Sequence, residues 1–429
     1  MASTYLTRSL SSTSTSWTFS AWVKRGSNLG VTNYFISWGN SGTDATGIGF
    51  NTSDKFQYYS EDNPSNINAV TNAVYRDNSG WYNFVCSCNA GAITLYTNGE
   101  TVGSTTGGNA LDTSTMQIGK WVTSAYYHDG SMSHVHFIDG TAYDATAFGE
   151  YDANGVWKIK TSPSVTYGTN GFFILKNGNS VTDQSGNSNN FTVAGGTLTN
   201  TEDSPSNVFA TMNPLDNYWS TSTYENGNNT VTSANNGYSY STSTLGVNTG
   251  KFYWECKWSA QPTGSSNKFL IGIAKRPAPS STTWLGSEAY TYGYMGSDGN
   301  VKVSGGNATG SVATTYAVGD IISVALDLDN NKIHFAKNGS YTNSSNPSAN
   351  SGGITITAPD STTGDSGFYF AGFGDGEGSL QETGQFNFGN GYFGTTAVSS
   401  AGTNASGNGI FEHDVPTGFT ALSTKGLNL

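Results

Sequence analysis

Acidic and histidine side chains are the residues of this chain that could carry out covalent chemistry, so their spacing comes first. Retaining glycoside hydrolysis needs two carboxylates about 5–5.5 Å apart, which on one strand means acids at i and i+2 or i+4. The nearest matches are Asp375 and Glu377 in GDGEGS and Asp327 and Asp329 in ALDLDN. The first pair is flanked by glycine and reads as a loop. The second sits where a hairpin turns, and Asp329 reads as a turn former. Neither makes a catalytic pair, so no enzymatic activity and no catalytic residue are expected.

Metal-ligating patterns are equally sparse. His134 and His136 alternate in SHVHF, with His128 and Asp129 just upstream. Two histidines at i and i+2 can share a zinc ion, but the spacing fits the solvated face of an edge or outer strand more simply. Asp139 in HFIDG and Asp183 in TDQSGN are carboxylates in turns, which Asx-turn hydrogen bonds explain. Cys86 and Cys88 lie on one face of a strand and Cys256 stands apart, so no disulfide framework follows and the thiols read as small core residues.

Aromatic side chains in polar surroundings are the other functional signal, because sugars stack on flat rings. Trp284 with Tyr290, Tyr292 and Tyr294 follows the loop KRPAPSSTTWLGSEAY, and Trp121 with Tyr126 and Tyr127 forms a comparable group. These seven residues are the candidate ligand-binding set. The alternating Tyr290, Tyr292 and Tyr294 also fit the packing of one sheet face, which leaves Trp284 as the strongest member.

The elements that must position these residues are strands. The chain has 429 residues, 55 of them Gly, with aromatics at 13% and charged residues at 11%, against about 25% charged in an average soluble protein. Short alternating runs between Gly, Asn and Ser clusters recur throughout, among them WTFSAWVKR, WYNFVCSCN, GKFYWECKW and DIISVALDLDN. Only residues 141–160 suggest a short helix. Two stretches, NAGAITLYTNGE (89–100) and DNNKIHFAKNGS (329–340), have the same form: a polar turn, an alternating run and then Asn-Gly, a favoured type I′ pair. Both are expected to be hairpins, with Ile93 and Leu95, and Ile333 and Phe335, facing inward. The predicted class is all-β, with two antiparallel β-sandwich domains in series: residues 1–203, a linker at 204–217 holding Pro205 and Pro214, and residues 218–429.

Charge narrows the partners. The net charge is −12 and no Lys/Arg cluster occurs, so nucleic acid is not an expected partner. No apolar run approaches the ~20 residues of a membrane span, and no insertion into a membrane is expected. The opening MASTYLTRSLSSTSTSWTF has no apolar h-region, so folding in a cytoplasm is the expectation.

The motifs carry resemblances. WTFSAWVKR, WYNFVCSCNAGAITLYTNGE, SMSHVHFIDGTAY and VTDQSGNSNNFTV resemble the strands of laminin-G-like, concanavalin A-like jelly rolls. GKFYWECKW, KFLIGIAKR, YTYGYMGSDGNV and VGDIISVALDLDNNKIHFAKNG resemble a SPRY (B30.2-like) domain. Loop carboxylates in laminin-G-like domains can hold Ca2+, but no specific motif for it is present and no cofactor is expected. With the link DSPSNVFATMNPL and the ending FNFG … PTGFTAL, the whole is similar to structural proteins of tailed-phage virions common in marine phages. That resemblance implies a non-enzymatic component of the particle exterior, on a tail fibre or as a head-surface appendage. Its partners would be other virion proteins in an oligomeric assembly and a host-surface polysaccharide. The alternative is a secreted glycan-binding lectin or glycan-active enzyme.

Overall fold

The computed structural model describes all residues except 1–2, 42, 63–65, 177–179, 217–221, 236, 265, 277–278, 281, 311–313, 360–365 and 429. The chain divides into two compact units: Met1–Asn200 with Ser204–Ser206, and Thr201–Asp203 with Asn207–Leu429. Strands dominate both, and no α-helix occurs among the described residues.

In the first unit, a seven-stranded antiparallel sheet runs in the order Thr192–Gly195, Tyr5–Ser9, Thr115–Ile118, Asn33–Ser41, Asp44–Phe50, Phe56–Asp62, Ile67–Val70. It faces a six-stranded antiparallel sheet ordered Phe172–Ile174, Gly130–Asp139, Trp17–Arg25, Tyr82–Asn89, Ala92–Thr97, Glu100–Thr105. Alternation along each strand sends one set of side chains between the sheets, where leaving water stabilises each large apolar side chain by roughly 1.5–3 kcal/mol. Phe35, Trp38, Ile48, Phe50 and Tyr58 come from one sheet and Trp17, Phe19, Phe84, Cys86, Leu95 and Phe137 from the other. Trp17 meets Trp38 edge-on at 5.0 Å within this layer. All three cysteines of the chain are buried and free.

In the second unit, the larger sheet has nine strands. Its main path is Thr223–Glu225, Thr230–Thr232, Thr383–Asn387, Lys251–Ala260, Ile321–Asp327, Lys332–Lys337, Ser340–Tyr341, with Ile354–Thr355 beside Lys332–Lys337 and Thr420–Ala421 parallel to Lys251–Ala260. The facing sheet has six: Ser239–Val247, Tyr369–Asp375, Phe269–Ala274, Thr291–Met295, Val301–Val303, Gly306–Asn307. Trp254, Cys256, Trp258, Ile322, Val324, Leu326, Ile333 and Phe335 pack against Phe269, Ile271, Ile273, Tyr369 and Phe373 between them. Residues 207–216, expected to be part of a connecting segment, pack within this unit, and Ala210 and Met212 join its core.

The two hairpins are as the sequence predicts. Asn98 and Gly99 have φ of 47° and 88°, and Asn338 and Gly339 have 47° and 80°, the paired positive values a type I′ turn requires. Ile93, Leu95, Ile333 and Phe335 all lie in the cores. The helix suggested at 141–160 is instead one 3₁₀ turn, Ala145–Ala147, followed by the hairpin Gly149–Tyr151 and Trp157–Ile159. Asp144 caps the turn by accepting from the Thr146 N–H, and burial of Trp157, whose indole donates to Asn83 Oδ1 at 3.2 Å, fixes the hairpin.

Each unit also closes on itself. In the first, Tyr5–Ser9 pairs with Thr192–Gly195, and the Thr4 hydroxyl donates to Thr197 O. In the second, the Ala210 N–H donates to Leu422 O and the Thr424 N–H to Val208 O, both at 2.9 Å.

Candidate functional site

Both candidate aromatic groups lie in loops folded back over the outer face of a sheet, and in both cases glycine makes the room. In the first unit the loop after Ile118 crosses the seven-stranded sheet. The Ser37 hydroxyl anchors it by donating to Lys120 O at 2.7 Å. Trp121 then lies over Gly47, where a Cβ would come within 2.5 Å of the indole. The indole packs at a tilt 4.4 Å from Tyr34 and 6.0 Å from Tyr59 and is buried. Trp121 is therefore the foundation of this platform, and its ring is not presented to solvent. Tyr126 is 49% exposed at 6.5 Å from Tyr34, and half-buried Tyr127 stands 6.2 Å from Tyr5 with the Lys120 ammonium over both rings. Burial raises the Glu61 carboxyl, which acts electrostatically on Tyr34 and Tyr59, above its ordinary value.

In the second unit the loop 282–291 crosses the six-stranded sheet over Gly272, Gly293, Gly372 and Gly374, which are cross-strand neighbours or diagonal to one another. Leu285 fills the space these glycines leave: a Cβ on Gly374 would lie 2.6 Å from Leu285 Cβ, and one on Gly372 would lie 3.0 Å from Leu285 Cδ1. Leu285 is fully buried with Leu270, Ala274 and Tyr240, and half-buried Trp284 packs against this cluster. The Thr291 hydroxyl completes the seat by accepting from the Gly286 N–H at 2.8 Å and donating to Glu288 O at 3.1 Å.

Tyr290 is half-buried on this outer face, with the Arg276 guanidinium 5.4 Å from its ring centre. Tyr292 and Tyr294 are different. Strand alternation points them into the sandwich, where they are 4% and 1% exposed and pack on Tyr369 and Phe335. Their rings are core, which corrects their inclusion in the ligand-binding set.

The charged candidates are all engaged by their own chain. Asp375 is buried at a strand end, accepts from the Ser233 hydroxyl and the Glu377 N–H, and is pushed up to about 6 by burial. Glu377 accepts from the Ser266 hydroxyl. Asp327 pairs with Lys251 at 3.0 Å, and Asp329 accepts from the Gly250 N–H. Asp139 accepts twice from Asn170, and Asp183 accepts from Phe173, Ser185 and Asn189 in Asx-turn fashion.

The histidines do not line a solvated face as the alternation suggested. The strand Gly130–Asp139 is flanked on both sides, and a bulge between Ser133 and His136 puts His134 at φ 49°. His136 stacks on Phe173 at 4.0 Å and hydrogen-bonds Tyr167 at 2.9 Å, and burial holds it well below the usual imidazole range. His128 bonds Asn33 and packs edge-on to Phe35, and burial takes it to about 3. No group of three or more His, Cys, Asp or Glu suited to a metal ion occurs among the described residues.

Three arrangements had no sequence signal because the fold, and no recognisable spacing, brings their members together. Arg25, Arg76 and the Gly30 N–H converge on buried Asp54 and hold three loops together. Arg276 and Glu288 form a two-point ion pair beside Tyr290. Glu255, fully buried, accepts from the Glu412 N–H at 2.9 Å, the His413 N–H at 2.8 Å, the Tyr253 hydroxyl at 2.9 Å and Asn387 Nδ2 at 3.4 Å. All four donors are uncharged. These bonds clamp the closing segment, whose Phe411, Val415 and Phe419 cover Tyr253 and Ala325 on the outer side of the nine-stranded sheet.

This geometry defines the class: two antiparallel β-sandwiches, with aromatic loops seated on their outer faces. Family models agree. Residues 2–146 match the concanavalin A-like lectin/glucanases superfamily and residues 251–369 match the SPRY domain, so the chain carries an N-terminal concanavalin A-like domain and a C-terminal SPRY domain. No curated protein sequence matches it. Among solved structures, the SPRY domain of human HERC1 shares 18% identity over 41% of this chain and 96% of its own, with a TM-score of 0.32. The heptameric SAP-like pentraxin from Limulus polyphemus shares 16% over 33% and 72%, at 0.28. Domain 4 of the arabinanase AbnA from Geobacillus stearothermophilus, solved with arabinotriose, shares 19% over 31% and 65%, at 0.26.

Proposed function

We propose that the chain is a non-enzymatic binding protein whose sandwiches offer aromatic platforms to a glycan of a host surface. The observation that carries this reading is the pair of loop-borne platforms, Tyr126 and Tyr127 with Tyr59 in the first unit and Trp284 with Tyr290 in the second, each fixed to a rigid sheet. Rings held this way lose little freedom when a sugar stacks on them, which favours binding. The candidate carboxylates support a non-catalytic reading, since each is used by hydrogen bonds that build turns and strand ends. The sequence resemblance to tailed-phage proteins supports a place on the exterior of a virion, as a tail-fibre adhesin or a head-surface appendage alongside other virion proteins.

A glycan array probed with purified protein, together with the variants Tyr126→Ala and Trp284→Ala, tests the binding role. Selective binding weakened by either variant is expected, and a blank array removes the glycan reading. Turnover of any polysaccharide in the panel would replace it with an enzymatic one. Immunogold labelling of phage particles tests the location, and absence from every particle would leave a secreted lectin as the better account.

A further inference from the structure

The glycine-seated loop of the second unit carries a charge pair in an unusual setting. Arg276 Nη2 and Nε reach Glu288 Oε1 and Oε2 at 2.7 and 3.3 Å, and the two side chains stay 34% and 22% exposed. A guanidinium has five N–H donors and a carboxylate about four lone-pair sites. Pairing leaves donors on the arginine side and acceptors on the glutamate side of one plane with no net charge. Two adjacent hydroxyls fit such an edge, because a hydroxyl both donates and accepts. An anionic ligand does not, since it must first displace Glu288 from a two-point contact.

The surroundings supply the rest of a subsite. The Tyr290 ring lies beneath the guanidinium and holds it in place. Tyr240, 1% exposed, has a hydroxyl without a hydrogen-bond partner among the described residues, and both Glu288 and Arg276 act on it electrostatically. That hydroxyl is enclosed, so Tyr240 lies beneath the pair as part of its support and does not face a ligand. Trp284, on the same loop, offers an apolar ring to the C–H face of a pyranose.

We infer that Arg276 and Glu288, with Tyr290 and Trp284, form a subsite for a neutral saccharide bearing vicinal hydroxyls. This rests on the glycan reading above and adds the ligand's charge class and the residues that set it.

Calorimetric titration of the full chain with mannotriose, cellotriose and trigalacturonic acid tests it. The wild type takes up a neutral trisaccharide in preference to trigalacturonate. Glu288→Gln weakens neutral binding on the order of tenfold and improves trigalacturonate binding, because the freed arginine then meets the carboxylates. Arg276→Lys, which keeps the charge and loses the planar fork, weakens neutral binding similarly without improving the acidic ligand. A purely structural pair would not invert the preference. Wild-type preference for trigalacturonate, or unchanged neutral affinity in both variants at native melting temperature, overturns the assignment and leaves the glycan reading intact. A blank glycan array overturns both. Should Glu288→Gln fail to fold, Arg276→Lys and Trp284→Ala carry the test, and neutral affinity unchanged in these two overturns the assignment.

Discussion

Replacing Glu255 by glutamine changes how the second unit responds to pH, and the size of the effect follows from the burial of that carboxyl. Burial raises it from its ordinary 4.5 to about 7, against the opposing pull of the Glu412 and His413 N–H groups, Tyr253 and Asn387. Since the folded value lies above the unfolded one, the folded state holds more protons between pH 4.5 and 7. The contribution is therefore fully present below 4.5 and is lost as pH rises through 7. At 1.36 kcal/mol per pH unit the loss is about 3 kcal/mol, or roughly 6–12 °C in melting temperature for a unit of this size. Glutamine cannot ionise, so Glu255→Gln removes the slope. It also turns an amide N–H₂ toward a donor on one side, because Asn387 is held by the Gly389 and Gly391 N–H groups and cannot flip. The variant should therefore be about 1–3 kcal/mol weaker at pH 5, with the gap closing by pH 8.5. Calorimetric melting of both proteins at half-unit steps from pH 5 to 8.5 measures this difference, from which other titrating groups cancel. Parallel curves, with a constant gap, would refute the reasoning.

Buried imidazoles act in the opposite sense. His128 is held to about 3, and His134 and His334 to about 4, by desolvation, against an ordinary 6.5, so their contribution is intact above 6.5 and is lost as pH falls toward the folded values. The ring resonances of His128, His134 and His334 in NMR should stay those of neutral imidazole down to pH 5, and a His128 midpoint near 6 would contradict the packing described. Gly99→Ala places a methyl 2.5 Å from the Trp157 ring at a φ of 88°, and a loss of about 1–3 kcal/mol in chemical denaturation is expected.

Hairpin geometry and core sides were legible because a period of two and an Asn-Gly pair are local signals. Ile93, Leu95, Ile333 and Phe335 need only their neighbours in sequence to declare which way they face. The segment 141–160 misled because Trp157 is fixed by Asn83, more than seventy residues away. His136 misled for a related reason: alternation shows which residues share a face, and only the order of strands in the sheet decides whether that face meets water. Tyr290, Tyr292 and Tyr294 show the same limit, since Tyr290 lies in the turn before the strand and stays half-buried while strand alternation buries the other two. Glu255 was silent in the sequence, because three of its four donors come from residues 387, 412 and 413 and it needs no charged partner to announce it.

The closure of each sandwich on itself has a consequence for how such a chain can be assembled. Where Leu6 lies beside Val193, and Ala210 bonds Leu422, the entry and exit of each unit are neighbours. A module whose ends meet can be spliced into a loop of another host, or have its ends joined and be reopened elsewhere, with little strain on either partner. Each half of this protein is in that sense a cassette, able to change its neighbours while keeping its own core and loops.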